Sequence, residues 1–256
     1  MSTPLLPLSI QIYSLRTLDG LAAQLDCLAG AGFRHVELIG SQLEDAGATR
    51  AALDTRGLTV SSSHLSMAML RERLPQVLAA CKTIGFNQLF MPAVPQAERD
   101  APATYWTALG AELAELARRC AGEGVALGYH NHHWELQVKA GGATAMDLLL
   151  DAADGSPLTW QVDVAWLVRG GADPLAWLKR AAGRVASAHA KDIAPAGQAL
   201  DEDGWADVGT GTLDWRTLAP ACKAAGARWL VAEHDKPSDP ARFAAQAHRF
   251  LQTLAD

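Results

Sequence analysis

Apolar and polar positions repeat one unit along the whole chain. Amphipathic stretches carry apolar residues at helical spacing, such as Leu21/Leu25/Leu28, Leu74/Val77/Leu78/Cys81 and Leu109/Leu113/Leu116. Each runs into a glycine and then into a short β-branched or apolar run. The junctions are Ala31-Gly-Phe33, Arg56-Gly-Leu58, Ile84-Gly-Phe86, Glu123-Gly-Val125, Gly183 before Val185, and Gly226 before Trp229. A glycine just past a helix end takes the left-handed conformation that closes the helix, so the next strand can begin at once. Eight strands are therefore predicted, near 8–13, 34–39, 58–63, 87–92, 125–131, 158–163, 185–190 and 228–233. Asp173-Pro174 and Asp239-Pro240 mark helix starts, with an acid at the cap and proline in the first turn.

Strands that recur about every 30 residues and alternate with helices form βαβ units and a parallel sheet. Eight such units in 256 residues predict a single-domain (β/α)8 TIM barrel over residues 1–256. A doubly wound open sheet is the competitor, but no glycine-rich dinucleotide fingerprint follows the first strand. The Gly- and Asp-rich stretch 194–213 is expected to be a long loop after the seventh strand.

Composition narrows the functional classes. Apolar residues make up 49% and charged residues 20%, which excludes disordered and fibrous chains. The net charge of −6, with no Lys/Arg block, argues against a nucleic-acid partner and toward a small neutral or metal-bridged substrate. The first residues lack a basic segment and are broken by Pro4 and Pro7, so no signal peptide is expected, and no apolar run reaches membrane-spanning length. Cys27, Cys81, Cys120 and Cys222 lie far apart without C-x-x-C spacing, which suits reduced thiols in a cytoplasmic protein. Homo-oligomerisation is left open.

In a barrel of this kind the reacting groups come from the C-terminal ends of the strands. Those ends are polar here. They carry Glu37, Ser63-His64, His130 and His132 with Glu135, Asp163, His189-Ala-Lys191-Asp192 and Glu233-His234-Asp235. Strand alternation would place His130 and His132 on one face, with Asn131 and His133 on the other. Asp163, His189 and Glu233 each end a short apolar run, where a charge is costly to bury without a partner, and a bound cation would supply one. With His130 as a fourth ligand, the two imidazoles and two carboxylates suit one divalent ion, Mn²⁺ first, with Co²⁺, Mg²⁺ or Zn²⁺ also fitting. Asn131, Lys191 or Asp192 are expected to orient the ligands. Separate ion pairs rimming the barrel are the alternative reading of these charges.

The Val-Glu-Leu run at 36–38, Ser-His at 63–64, Tyr-His-Asn-His at 129–132, Gln-Val-Asp at 161–163, His-Ala-Lys-Asp at 189–192, Val-Gly-Thr-Gly-Thr-Leu-Asp-Trp at 208–215 and Ala-Glu-His-Asp at 232–235 occur in this order. In these motifs the chain resembles the sugar phosphate isomerase/epimerase family, whose xylose isomerase-like barrel is also that of endonuclease IV. The resemblance implies metal ligation by Asp163, His189 and Glu233, with the fifth-strand ligand at His130. Ketose epimerases of this group carry glutamate there and shuttle protons between two glutamates, so His130, His132 or Glu135 would have to replace one partner. Many members also place a histidine where this chain has Trp166, which argues against a three-metal site.

Such a site supports proton abstraction next to a carbonyl through a metal-stabilised enediolate. Glu233 is the expected base, with His132 or Glu135 as its acid/base partner and Lys191 on the developing oxyanion. His64, Glu37, Trp134 and Trp166 are expected to bind substrate, the indoles offering flat faces to a sugar. For Glu37 and Lys191, a salt bridge across the barrel mouth is the alternative; for the tryptophans, plain core closure. A metal-dependent isomerase or epimerase is the first reading. A dehydratase of the inosose type is the second, a DNA-repair endonuclease a disfavoured third, and a carbohydrate-binding barrel without catalysis a fourth.

Overall fold

The computed structural model describes residues 5–254. The first part of the N-terminal stretch read as lacking a signal peptide, residues 1–4, lies outside the described residues, as do the last two positions of the predicted domain. Eight parallel strands close into a barrel: Leu8–Gln11, His35–Ile39, Thr59–His64, Gln88–Met91, Ala126–His130, Thr159–Asp163, Val185–Ala190 and Leu230–Ala232. Each is paired in parallel with its sequence neighbours, and the last with the first. Helices fill every connection, from Gly20–Ala31 after the first strand to Pro240–Leu251 after the eighth. No described helix is long and apolar enough to cross a membrane.

The junction glycines act as the sequence predicts. Gly32, Gly57, Gly85, Gly124, Gly183 and Gly226 all have positive φ, from +63° at Gly57 to +115° at Gly226. At Gly32 the amide returns to Ala29 O, so the chain turns directly into the second strand. None of the four cysteines is in a disulfide.

Three expectations are corrected. The first strand stops at Gln11, because the Gln11 side chain accepts from the Tyr13 amide at 3.1 Å and starts a 3-10 turn, Ile12–Leu15. The fifth strand stops at His130, so strand alternation does not govern His132, which stands beyond the strand end. The loop 194–213 is not structureless: Trp205–Ala206 pairs antiparallel with Asp192–Ile193, and Leu200–Glu202 forms a 3-10 turn.

The barrel interior is unusually polar. Barrels of this class usually fill their centre with branched apolar side chains. Here Ser9, Ser61, Ser62, Ser187, Gln11, Gln161 and Glu37 are buried, and the Ser9 and Ser61 hydroxyls meet at 2.7 Å. Buried polar groups are stable only when partnered, and this set is hydrogen-bonded to itself. It forms a floor beneath the strand ends.

Candidate metal and active site

Four strand ends bring His130, Asp163, His189 and Glu233 together, with one donor atom of each within 4.8 Å of the others and all four residues buried. His189 Nδ1 lies 2.8 Å from Glu233 Oε2, and 4.0 Å from Asp163 Oδ2. His130 Nε2 is also 4.0 Å from Asp163 Oδ2. Asp163 caps the helix Val164–Arg169 through Oδ1, which accepts from the Trp166 amide at 2.9 Å. Its Oδ2 is buried and accepts no hydrogen bond. Asn131 holds this corner in register: its Oδ1 accepts from Trp160 Nε1 and the Asp163 amide, and its Nδ2 donates to Asp163 O.

The donor set fits a divalent ion. Two imidazole nitrogens and two carboxylates converge, and one buried carboxylate oxygen lacks a hydrogen bond. Burial, with the Glu233 charge, pushes the Asp163 carboxyl up against the pull of Lys191 and His189.

A built-in cation already stands beside these candidate ligands. Lys191, with no exposed surface, places Nζ 2.8 Å from Glu233 Oε2, 2.9 Å from Asp235 Oδ2 and 3.0 Å from Asp163 Oδ2, the last outside hydrogen-bonding alignment. Burial opposes its charge, but Asp163, Asp235 and Glu233 outweigh that and hold the ammonium well above its ordinary value. Glu233 is held well below the usual carboxylate range: burial raises it, and the Lys191 and His189 charges more than reverse this. His189 moves up to about 10, since Glu233 and Glu37 on its two nitrogens overcome burial.

Glu37 does not reach the cavity. It is fully buried in the floor, where its carboxylate accepts from Gln11 Nε2 at 2.8 Å, His189 Nε2 and Gln161 Nε2 at 2.6 Å, and the Ser62 hydroxyl. Burial would raise its carboxyl, but the His64 and His189 rings and the hydrogen bonds from His189 and Ser62 outweigh it, down to about 2. Its expected role on substrate gives way to one behind His189. Glu135 is likewise enclosed: Oε1 accepts from Tyr129 OH at 2.6 Å and Oε2 from the His132 amide at 2.8 Å. Burial pushes it up to about 7 against those hydrogen bonds. It anchors the turn that carries His132 and does not face substrate.

A cavity of about 520 Å³ opens beside the cluster, and of the four candidate ligands His130 and Glu233 line it while Asp163 and His189 lie buried behind them. His64, His130, His132, Trp134, Trp166 and Glu233 line it, together with Tyr13, Asp203 and Asp235. His132 lies almost flat on Trp134, with ring centroids 4.1 Å apart at 14°, and its Nδ1 has no hydrogen bond. Sequence reasoning left His132 near neutral titration, whereas burial and then Lys191 hold it well below, so the ring is neutral at physiological pH. Burial also keeps His130 well below its ordinary value.

Of the residues expected to orient the ligands, Asn131 contacts the Asp163 backbone and Lys191 the Asp163 and Glu233 carboxylates, while Asp192 serves the loop. Its carboxylate accepts from the amides of Ile193, Gly209, Gly211 and Leu213. A Cβ on Gly211 would sit 2.2 Å from Asp192 Oδ1, so only glycine allows this approach. The glycine-bearing turn 208–212 therefore spends these amides on a carboxylate of its own chain.

Sequence reasoning missed Gln161, Asp203 and Tyr13. Gln161 had a signal, since it precedes Asp163 by two and strand alternation puts both on one face. Tyr13 closes the strand predicted at 8–13 and so stands at a predicted strand end, while Asp203 had no signal.

A family model for the xylose isomerase-like TIM barrel matches residues 25–254. No curated protein matches the chain in sequence. Among solved structures, a sugar phosphate isomerase/epimerase from Parabacteroides distasonis superimposes with a TM-score of 0.79 at 20% identity, covering 98% of this chain and 94% of that one. A probable 3-DHS dehydratase involved in petrobactin synthesis from Bacillus anthracis gives 0.71 at 14% identity, covering 95% and 98%. The IolI protein with a binding zinc atom gives 0.69 at 16% identity, covering 97% and 96%. The barrel's closure, the order of its strand-end motifs and the family match together identify the chain as a member of the xylose isomerase-like TIM barrel family, with structural neighbours among sugar phosphate isomerases/epimerases.

Proposed function

We propose that the protein is a divalent-metal-dependent isomerase or epimerase of an uncharged sugar, keto-sugar or polyol derivative. The observation that carries this reading is the convergence of His130, Asp163, His189 and Glu233, two of which, His130 and Glu233, line a cavity of sugar-binding size. A bound divalent ion would polarise adjacent substrate oxygens and stabilise the enediolate that forms when a proton leaves the neighbouring carbon. Mn²⁺ stands first for this donor set, with Co²⁺, Mg²⁺ or Zn²⁺ as substitutes.

The chain's own groups divide the remaining work. Glu233 lines the cavity as an ionised carboxylate and takes the proton from carbon. His132, neutral and lining the cavity, holds or returns a proton as the partner of Glu233. Trp134 and Trp166 give the C–H face of a sugar a flat wall, while His64 offers a polar contact. Lys191 keeps Asp163, Glu233 and Asp235 from repelling one another.

The substrate's lack of charge follows from the wall. The charged residues lining the cavity, among the described residues, are Asp203, Glu233 and Asp235, with no lysine or arginine. Arg99 and Arg169 lie against Trp134 and Trp205, at 3.7 and 3.4 Å from the ring centroids, and are not part of the lining. A phosphate would meet these carboxylates with no lysine or arginine in the lining to pair with it.

One observation favours a second reading, a dehydratase on the same fold. The fifth-strand position is His130, so no second carboxylate stands opposite Glu233, and elimination needs one base and one acid instead of two matched bases. One structural neighbour, a probable 3-DHS dehydratase, is compatible with this. NMR of unphosphorylated ketoses and inososes incubated in heavy water with Mn²⁺-loaded protein tests both. Deuterium entering the carbon beside the carbonyl without loss of water supports the isomerase or epimerase, loss of water supports the dehydratase, and no exchange with any of them contradicts both.

A further inference from the structure

We propose that Gln161 is the positioning residue that fixes the tautomers of His130 and His64, so that Nε2 of His130 carries the lone pair facing Asp163. Its consequence for metal binding rests on the four-ligand reading above. A neutral imidazole has one donor and one acceptor nitrogen, and which is which depends on the hydrogen bond the ring makes. Gln161 Oε1 lies 2.6 Å from His64 Nε2 and 3.0 Å from His130 Nδ1. One carbonyl oxygen, with two lone pairs, serves two rings, and for His64 the Glu37 carboxylate, 3.2 Å from the same Nε2, favours the same tautomer.

The amide cannot turn over. Its Nε2 donates to Glu37 Oε2 at 2.6 Å and to Ser187 Oγ at 3.3 Å. A flipped amide would set its oxygen against the Glu37 carboxylate and its NH₂ against two ring nitrogens. Oε1 therefore faces the histidines, and His64 must donate from Nε2 and His130 from Nδ1. The remaining nitrogen of His130, Nε2, stands 4.0 Å from Asp163 Oδ2, on the side where the candidate ligands converge.

The backbone is shaped for this contact. Gln161 pairs in register with His130 on the fifth strand and with Ser187 on the seventh. The register between the sixth and seventh strands shifts at Trp160/Gln161, an irregularity of the kind that re-aims a side chain beside a site. Gln161 is fully buried, and Glu37 plays the matching part for His189. Two floor residues thus set the orientation of three histidines.

The test uses two-bond nitrogen–proton NMR spectra of the full chain with isotope-labelled histidines, at neutral pH and without added metal, alongside Mn²⁺ affinity measured by chelator competition. Wild type is expected to show His130 protonated at Nδ1 and His64 at Nε2. In Gln161→Met, His130 is expected to become a mixture of tautomers and the Mn²⁺ dissociation constant to rise about 10- to 100-fold. Wild-type protein with His130 protonated at Nε2 overturns the proposal whether or not the variant folds. So does Gln161→Met with unchanged tautomers and unchanged Mn²⁺ affinity. Wild-type protein that shows both assigned tautomers but binds no Mn²⁺ supports the role of Gln161 and removes only the metal reading.

Discussion

Glu37 Oε1 accepts a hydrogen bond from His189 Nε2 at 2.6 Å, deep in the barrel, and this turns His189 Nδ1 toward Glu233 and Asp163. A carboxylate behind a ligating imidazole fixes its orientation and raises its basicity. Glu37 can be so placed because Gln11, Ser62 and Gln161 satisfy its other lone pairs.

Glu37→Gln should therefore weaken Mn²⁺ binding by about 10- to 100-fold while leaving the fold intact. Chelator competition on the purified variant checks this. An affinity equal to wild type would mean that Glu37 is structural only.

Lys191 and a bound metal ion should share one electrostatic role. With Lys191→Met, three carboxylates lose their buried counter-ion, a change of about 3–5 kcal/mol for a broken buried pair. The melting temperature should fall steeply in chelator, and saturating Mn²⁺ should recover much of the loss. A drop of the same size with and without Mn²⁺ would separate the two roles.

His132 and Glu135 should separate in kinetics. His132→Gln removes a group facing substrate and should lower kcat by about 10² to 10⁴. Glu135→Gln keeps one acceptor for the Tyr129 hydroxyl or the His132 amide and should cost less than about tenfold. Rates on whichever substrate exchanges deuterium decide it, and equal losses would place Glu135 in the chemistry.

The loop 194–213 should be pinned in a pH-dependent way. Glu202 accepts from the Ser238 amide at 2.7 Å, the Ser238 hydroxyl and Arg242 Nη2 at 2.7 Å. Burial raises its carboxyl, but these hydrogen bonds and the Arg242 charge bring it to about 2 from 4.5. Because the folded value is the lower one, this stabilisation is present above pH 4.5 and is lost as pH falls toward 2. Glu202→Gln should melt below wild type at neutral pH, and the gap should close on acidification. A gap that does not change with pH would show that ionisation of Glu202 contributes nothing.

Local signals made the architecture legible. Gly32, Gly85 and Gly226 close helices through their own backbone freedom, and the apolar run after each needs no distant partner to become a strand. The candidate ligands were legible for a related reason. Asp163, His189 and Glu233 end apolar runs, so their cost of burial is written beside them. What stayed hidden depends on partners far along the chain. Glu37 looks like a residue of the barrel mouth until His189, 152 positions away, is seen on its carboxylate. Gln161 is an ordinary strand residue until two histidines share its oxygen. The placing of His132 beside His130 comes from the turn held by Glu135, not from strand periodicity.

The central claim is that one divalent ion binds among His130, Asp163, His189 and Glu233. Anomalous diffraction from crystals soaked in Mn²⁺, for wild type and Asp163→Ala, tests it most directly. A single strong peak within ligand distance of those four side chains is expected in wild type, with its loss in the variant. A site without a peak, or a peak that survives removal of the Asp163 carboxylate unchanged, would contradict it.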